Sequence, residues 1–490
     1  MPSVHGISTA CSGCPGAAPG LPKPRTAPIL WPPMARHGWE SVGRRWRLAA
    51  LLGGIAAALA LLVGLPGGPP GGPPGTPAAP RGTVRASVGW GFTHTQFSAD
   101  EGAPAATARV RGLLKADGGP AQDQAIMGWG ADNPEPSPGH YDFAALDRRI
   151  AFVRASGGTP VITLCCAPDW MKGGKSGAEH TDWSRSALET APDPGHYQDF
   201  ADLAATVARR YPDVRHFLVW NEFKGFWDEA ANRWDYEGYT DLYNLVYRAL
   251  KRTGEDVLVG GPYLPMDSVA PTGPEASPRL RGDWGAMDQR VLDAFSYWNA
   301  HKAGADFTVV DGATYPDGGS PRPDEFTATD KLTAVSAWVR RQTHDLPLWW
   351  AEYYVEPGDG DAGWSEPHRV AVQATGLIAL VRGGAGSGFY WNPEKRTGPT
   401  CPGCLWTPTD RADGGRPLPV YGLLSRFAAA FPPGTRYRAV PVDPAAGSGL
   451  RVLASDRTVL VVNTRDRPAV ARVDGGRLTL RPYEVRWLDR

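Results

Sequence analysis

Two stretches decide how this chain is read: VRHFLVWNE at residues 214–222 and LPLWWAEYY at residues 346–354. Each is a short apolar run that ends in a glutamate, Glu222 in the first and Glu352 in the second. A short apolar run bounded by turn signals reads as a buried strand. Outward from these two, the same unit recurs along the chain. Val88–Phe92, Ile126–Trp129, Val161–Leu164, Val214–Trp220, Val257–Gly260, Phe307–Val310, Leu348–Trp350 and Gly388–Trp391 read as strands. Between them lie helical patterns. One covers 104–115, another carries Phe143, Leu146, Ile150 and Val153, and a third carries Phe200, Leu203 and Val207. Leu242, Leu245, Val246 and Leu250 mark one face of a fourth.

Eight strand–helix pairs in about 350 residues predict an α/β fold, a closed (β/α)8 TIM barrel over residues 84–432. The competing fold is an open doubly wound sheet. That fold carries a Gly-rich phosphate turn after an early strand, and this sequence has none. From residue 433 to 490 the character changes to short Val-rich runs, RVLAS, TVLVVNT and EVRWL, separated by Gly and Asp. They predict a small antiparallel, β-sandwich-like domain.

Ahead of the barrel, residues 1–45 read as a disordered cytoplasmic N-terminus. Residues 46–65 contain the uncharged run LAALLGGIAAALALLVGL, just long enough to cross a bilayer. Arg44, Arg45 and Arg47 flank it, which predicts a cytoplasmic N-terminus and export of everything that follows. The segment is read as a transmembrane anchor or a signal segment, and its length favours the anchor. Residues 66–83 are almost wholly Gly, Pro, Ala and Thr, the composition of a solvated linker. The expected location is therefore extracytoplasmic, membrane-anchored or secreted.

Composition narrows the function classes. With 51 basic and 51 acidic residues the net charge is +0, so nothing favours a nucleic-acid partner. Six cysteines in 490 residues do not make a disulfide scaffold. Cys165 and Cys166 fall in an apolar run and read as two buried thiols in preference to a strained vicinal bond. Cys401 and Cys404 span a Pro-Gly turn that can bring their sulfurs together in an oxidising compartment. No metal-ligand cluster, phosphate loop or nucleophile elbow is present, so no metal and no cofactor are expected.

Barrels of this kind carry their chemistry at the C-terminal ends of the strands. There the sequence places His94 after strand one, Trp170 after strand three, Asn221 and Glu222 after strand four, Asp311 and Tyr315 after strand six, Glu352 on strand seven and Trp391 on strand eight. Strands four and seven lie across the mouth from each other, so Glu222 and Glu352 can face one another. Two facing carboxyl groups can protonate a glycosidic oxygen and attack the anomeric carbon, or activate water. Glu356 and Glu394 stand farther from their strand ends, beside proline, and rank below Glu352. Lys224 reads as a solvated rim charge, with recognition of a carboxylate on a uronic acid as the alternative.

Trp220-Asn221-Glu222 resembles the acid/base signature of the clan A retaining glycoside hydrolases, and WWAEYY around Glu352 resembles that clan's strand-seven nucleophile. GFTHTQ after strand one, NPEPSPGHYDFAALD after strand two and APDW after strand three make residues 84–490 most similar to glycoside hydrolase family 39, the β-xylosidase and α-L-iduronidase family. The resemblance implies a retaining glycosidase acting on an oligosaccharide or glycoside, with a β-xyloside as the first expected substrate. Glu222 would be acid/base and Glu352 nucleophile. Asn221 would bind the hydroxyl next to the anomeric carbon, and Trp391 would floor the sugar. His94 and Trp170 would contact substrate, and Tyr315 would position the nucleophile. The DGATYP segment lacks the histidine expected in family 39 at that point. A carbohydrate-binding barrel without turnover and a cell-envelope transglycosylase are the competing readings.

Overall fold

The computed structural model describes residues 86–316, 323–357, 363–395, 401–443 and 449–490. The predicted N-terminal segments, 1–45, 46–65 and 66–83, lie outside them. Among the described residues no helix is long and apolar enough to cross a membrane.

Eight parallel strands close into a barrel in chain order: β1 (Gly89–Thr93), β2 (Ala121–Ala125), β3 (Thr159–Leu164), β4 (His216–Val219), β5 (Leu258–Pro265), β6 (Phe307–Asp311), β7 (Leu348–Tyr353) and β8 (Ala385–Trp391), which pairs back onto β1. Eight helices follow them: α1 (Pro104–Ala116), α2 (Ala144–Ala155), α3 (Tyr197–Arg210), α4 (Tyr236–Lys251), α5 (Gln289–His301), α6 (Asp330–Gln342), α7 (Glu366–Gly383) and α8 (Pro419–Ala430). The helix faces are those that the periodicity marks. On α3, Phe200, Leu203, Ala204 and Val207 are buried, and on α4, Leu242, Val246 and Leu250. Asp235 caps α4 by accepting from the Gly238 N–H at 2.9 Å.

Inside the barrel, Val161, Leu218, Phe307, Trp349 and Phe389 from five different strands meet in one apolar layer. That layer fills the floor beneath the mouth, as expected of a barrel that is packed and not a pore. Close approach at β1 requires glycine. A Cβ on Gly91 would sit 2.0 Å from the carbonyl oxygen of Ala121.

Strand two differs from its sequence reading. It is AQDQA at 121–125, and Ile126–Trp129 is the loop beyond it. The reason is chemical. Gln122 joins His94 at 2.9 Å and donates to Ser156 at 2.8 Å, while Asp123 accepts from Thr163 at 2.8 Å. Buried polar residues that satisfy one another leave no apolar run to detect. Strands five and seven also continue past their expected ends, to Pro265 and Tyr353.

The Val-rich C-terminal runs form β9 (Val442–Asp443), β10 (Leu450–Ala454), β11 (Thr458–Asn463), β12 (Ala469–Val473), β13 (Gly476–Leu480) and β14 (Val485–Asp489). They make two three-stranded antiparallel sheets that share a core of Val459, Val461, Val473 and Leu480. Arg382 of α7 donates to the Val452 carbonyl at 2.9 Å.

Two cysteine readings are resolved. Cys165 and Cys166 are disulfide-bonded to each other, correcting the expectation of two thiols; β3 ends at Leu164, and both lie just beyond it. Cys401 and Cys404 are also bonded, with Cα atoms 5.4 Å apart.

Gly91→Ala is expected to destabilise the chain by about 3 kcal/mol, because backbone of two paired strands would have to part. Urea unfolding followed by tryptophan fluorescence checks this, and an unchanged midpoint would mean that β1 and β2 can separate freely.

Candidate active site

Beyond β4 the chain turns sharply. Trp220, Glu222 and Phe223 hold φ of 67°, 52° and 51°, in the left-handed region that side chains avoid. Each such residue costs about 1–2 kcal/mol, so the surroundings must enforce the turn. Trp220 Nε1 donates to the Lys224 carbonyl at 2.8 Å, and the Phe223 ring stacks on Tyr239 with centroids 3.8 Å apart. Gly225 (φ +79°) passes so close to the β3–α3 connection that a Cβ would meet the Ala191 nitrogen at 2.2 Å. Through this turn Glu222 is held at the mouth with its side chain 22% exposed.

Glu352 arrives by a different irregularity. Trp349 and Ala351 belong to the interior layer, so strict alternation would turn Glu352 outward. Instead, Trp350 pairs with Gly388 and Tyr353 with Tyr390, giving β7 one residue more than β8 in that interval. This bulge re-aims Glu352 into the mouth. A second bulge does the same for Tyr263. Val309 pairs with Pro262 and Val310 with Leu264, which leaves Tyr263 as the extra residue, at φ 53°.

The side chains converge on Glu352. Tyr263 donates its hydroxyl to Oε1 at 2.7 Å, Asn221 Nδ2 donates to the same oxygen at 3.4 Å, and the Tyr354 hydroxyl donates to Oε2. Asp311, at the end of β6, completes a cluster. One carboxyl oxygen each from Glu222, Asp311 and Glu352 lie within 4.8 Å of one another. Lys224 is ion-paired to Glu222, donates to Asn221 Oδ1 at 2.6 Å and lies 4.9 Å over the Trp129 ring. It is therefore no solvated rim charge: its side chain is 16% exposed. Three oxygens so spaced could also bridge a cation, and here the Lys224 ammonium brings positive charge to Glu222.

Burial, and then the charge of Glu222, push the Glu352 carboxyl up to about 7, while Lys224, Tyr354 and Tyr263 oppose them. Burial, then Glu222, raise Asp311 well above the usual carboxylate range. Burial pulls the Lys224 ammonium down, but Glu222, Glu352 and Glu189 together outweigh it, and the net shift is upward. The carboxyl groups therefore titrate as a coupled set that retains protons near neutrality.

The other predicted residues fall as follows. Trp391 ends β8 and lines one cavity with Glu352, Asn221, Tyr263 and Trp129. His94 borders that cavity too, yet Gln122 Oε1 and Ser98 Oγ take both of its ring nitrogens, each at 2.9 Å. Burial first, then Arg149, hold it down at about 4, so it is a neutral imidazole without a nitrogen for a sugar hydroxyl. Trp170 donates to the Glu135 carbonyl at 2.8 Å and packs against His196. The tyrosine hydroxyls that the structure shows on Glu352 are those of Tyr263 and Tyr354, and Asp311 is what β6 brings to the pair. Glu356 is locked to Arg369 at 2.7 Å, and Glu394 accepts from Trp406 and Thr409 at 2.9 and 2.7 Å. Both are structural.

Sequence reading missed Trp129, Tyr263, Tyr354 and Asp123. Tyr354 stood two residues past Glu352, but only the tertiary structure returns its hydroxyl to that carboxylate. Asp123 is 1% exposed on the cavity wall, and burial raises it to about 7.

No family model and no curated protein matches this chain in sequence. Solved structures do match in three dimensions. A monomeric β-xylosidase from Caulobacter crescentus CB15 is 19% identical, with 79% of this chain and 75% of that one covered and a TM-score of 0.52. A family 39 glycoside hydrolase from Bacteroides cellulosilyticus WH2 is 16% identical over 84% and 82%, at 0.53. A conserved exported protein from Bacteroides fragilis is 13% identical over 84% and 99%, at 0.56. At such identities the likeness is one of fold.

Asp123 makes a pH prediction. Its folded-state value lies above the unfolded one, so the stability it contributes is present in acid and is lost as pH rises from about 4 to about 7. Asp123→Asn, which still accepts from Thr163, should flatten that part of the stability curve and melt higher than the parent at pH 8. Thermal melts of both proteins from pH 4 to 8 test this; parallel curves would mean that Asp123 ionises freely.

Proposed function

We propose that this chain is a retaining glycoside hydrolase in which Glu222 is the acid/base and Glu352 the nucleophile. One observation carries the reading: carboxyl oxygens of Glu222 and Glu352, from strands on opposite sides of the mouth, approach within 4.8 Å. Retaining enzymes hold the two carboxyls about 5 Å apart, whereas inverting ones leave roughly 6.5–9.5 Å for a water. The fold likeness to a family 39 glycoside hydrolase supports the same reading.

In the first step a Glu352 oxygen attacks the anomeric carbon as Glu222 gives its proton to the departing oxygen. The bond from anomeric carbon to leaving group breaks, and an ester to Glu352 forms. Esterification removes the Glu352 charge, so the repulsion that keeps the proton on Glu222 disappears and Glu222 becomes a base. It then takes a proton from water, whose oxygen displaces Glu352. Asn221, with Nδ2 on Glu352 and Oδ1 on Lys224, stands where the hydroxyl beside the anomeric carbon would lie. Trp391 and Trp129 offer flat faces to the ring. A β-xyloside is the first substrate proposed, on the likeness to a β-xylosidase. The arginines before residues 48–65 support an extracytoplasmic site of action.

A panel of aryl glycosides headed by aryl β-xyloside tests the proposal. Turnover should fall by at least about 10³-fold in Glu222→Ala and in Glu352→Ala. Added azide should restore product release, giving a glycosyl azide of retained configuration from Glu222→Ala and of inverted configuration from Glu352→Ala. Full activity in Glu352→Ala would overturn the mechanism, and sugar transfer to an added glycoside in preference to water would favour a transglycosylase.

A further inference from the structure

The retaining mechanism uses two carboxyl groups, and this mouth contains three. Asp311 is 1% exposed, and one of its carboxyl oxygens lies within 4.8 Å of one from Glu222 and one from Glu352. Carboxylates so close repel strongly, and a proton held on one of them turns that repulsion into a hydrogen bond. Asp311 Oδ1 is buried with no hydrogen-bond partner among the described residues. A buried anion with an unpaired oxygen is far costlier than a neutral acid in the same place. The surrounding charges act the same way. Glu352 and Asp267 face Asp311 with negative charge, Glu222 adds its own once it has given up its proton, and the Lys224 ammonium is engaged by Glu222 and Asn221.

We infer that Asp311 is a positioning residue that keeps its own proton throughout the cycle and donates it, as a hydrogen bond, to Glu222. This deepens the glycosidase reading and rests on it for its consequence, though not for its structural content. When Glu222 has given its proton to the leaving group, the neutral Asp311 supplies a donor to the new carboxylate. Lys224 and Asp311 then share the stabilisation of that charge, and Glu222 need not swing to find partners before acting as base. No net proton passes through Asp311.

The first test needs no turnover. Infrared difference spectra of the full chain near pH 7 should show a protonated-carboxyl C=O stretch that Asp311→Asn removes and Glu222→Gln retains. A spectrum in which Asp311→Asn removes no such band overturns the proposal, whatever becomes of the glycosidase reading. The second test is the pH dependence of turnover. Asparagine is a neutral donor of similar shape, so Asp311→Asn should keep the basic limb of kcat/KM where it is. Asp311→Ala, with no donor, should lower kcat about tenfold and move that limb upward, because the Glu222 carboxylate loses a stabilising hydrogen bond. A basic limb that falls by a unit or more in Asp311→Asn would show that an Asp311 charge had been holding the Glu222 proton, and would overturn the inference.

Discussion

Three carboxyl groups crowded into one buried barrel mouth are the constraint around which this structure is organised. Two full charges within 4.8 Å repel by about 3 kcal/mol at the effective dielectric of a protein, and burial adds to that. The cluster survives because the ends of several strands bring it relief. Lys224 follows β4, Tyr263 comes from β5, and Tyr354 and Asn221 add donors from beyond β7 and β4. None of these groups is near its partner in the chain except Lys224 and Tyr354. The barrel is the device that makes them neighbours, since its interior layer fixes where each strand stops.

The side chains of the site stand on irregular backbone. Glu222 lies in a left-handed turn, and Glu352 and Tyr263 lie in bulges. A regular strand would point alternate side chains into the barrel and leave Glu352 turned away from Asn221. The bulges convert that alternation into convergence at a single point. The cost in local strain is met by packing beneath it, from the Phe223–Tyr239 stack to the layer of Phe307, Trp349 and Phe389. Rigid support of this kind also suits the proposed chemistry, because a carboxyl that alternates between acid and base must not move between steps.

The architecture was legible wherever burial was apolar. Seven of the eight strands and the helices that follow them announce themselves by periodicity, because their cores are filled by Val, Leu, Phe and Trp. β2 was not legible, since Gln122 and Asp123 are buried by satisfying His94, Ser156 and Thr163, and no local pattern records such partners. His94 shows the same blindness from the other side. Its position after β1 suggested a hand extended to substrate, but Ser98, one short loop on, and Gln122 of β2 occupy its two nitrogens. Lys224 looked like a surface charge because the sequence does not show that Glu222 and Asn221 fold back over it.

By itself the sequence determined that this chain alternates strands and helices, and that two glutamates end apolar runs in positions able to face each other. Both are local facts, written in the spacing of apolar residues. Only the tertiary structure decided which groups surround those glutamates, that β6 contributes a third carboxyl, and that tyrosines from β5 and from just beyond β7 hold Glu352. Protonation, hydrogen bonding and orientation depend on atoms brought together from distant strands, and a one-residue bulge suffices to change which of them meet.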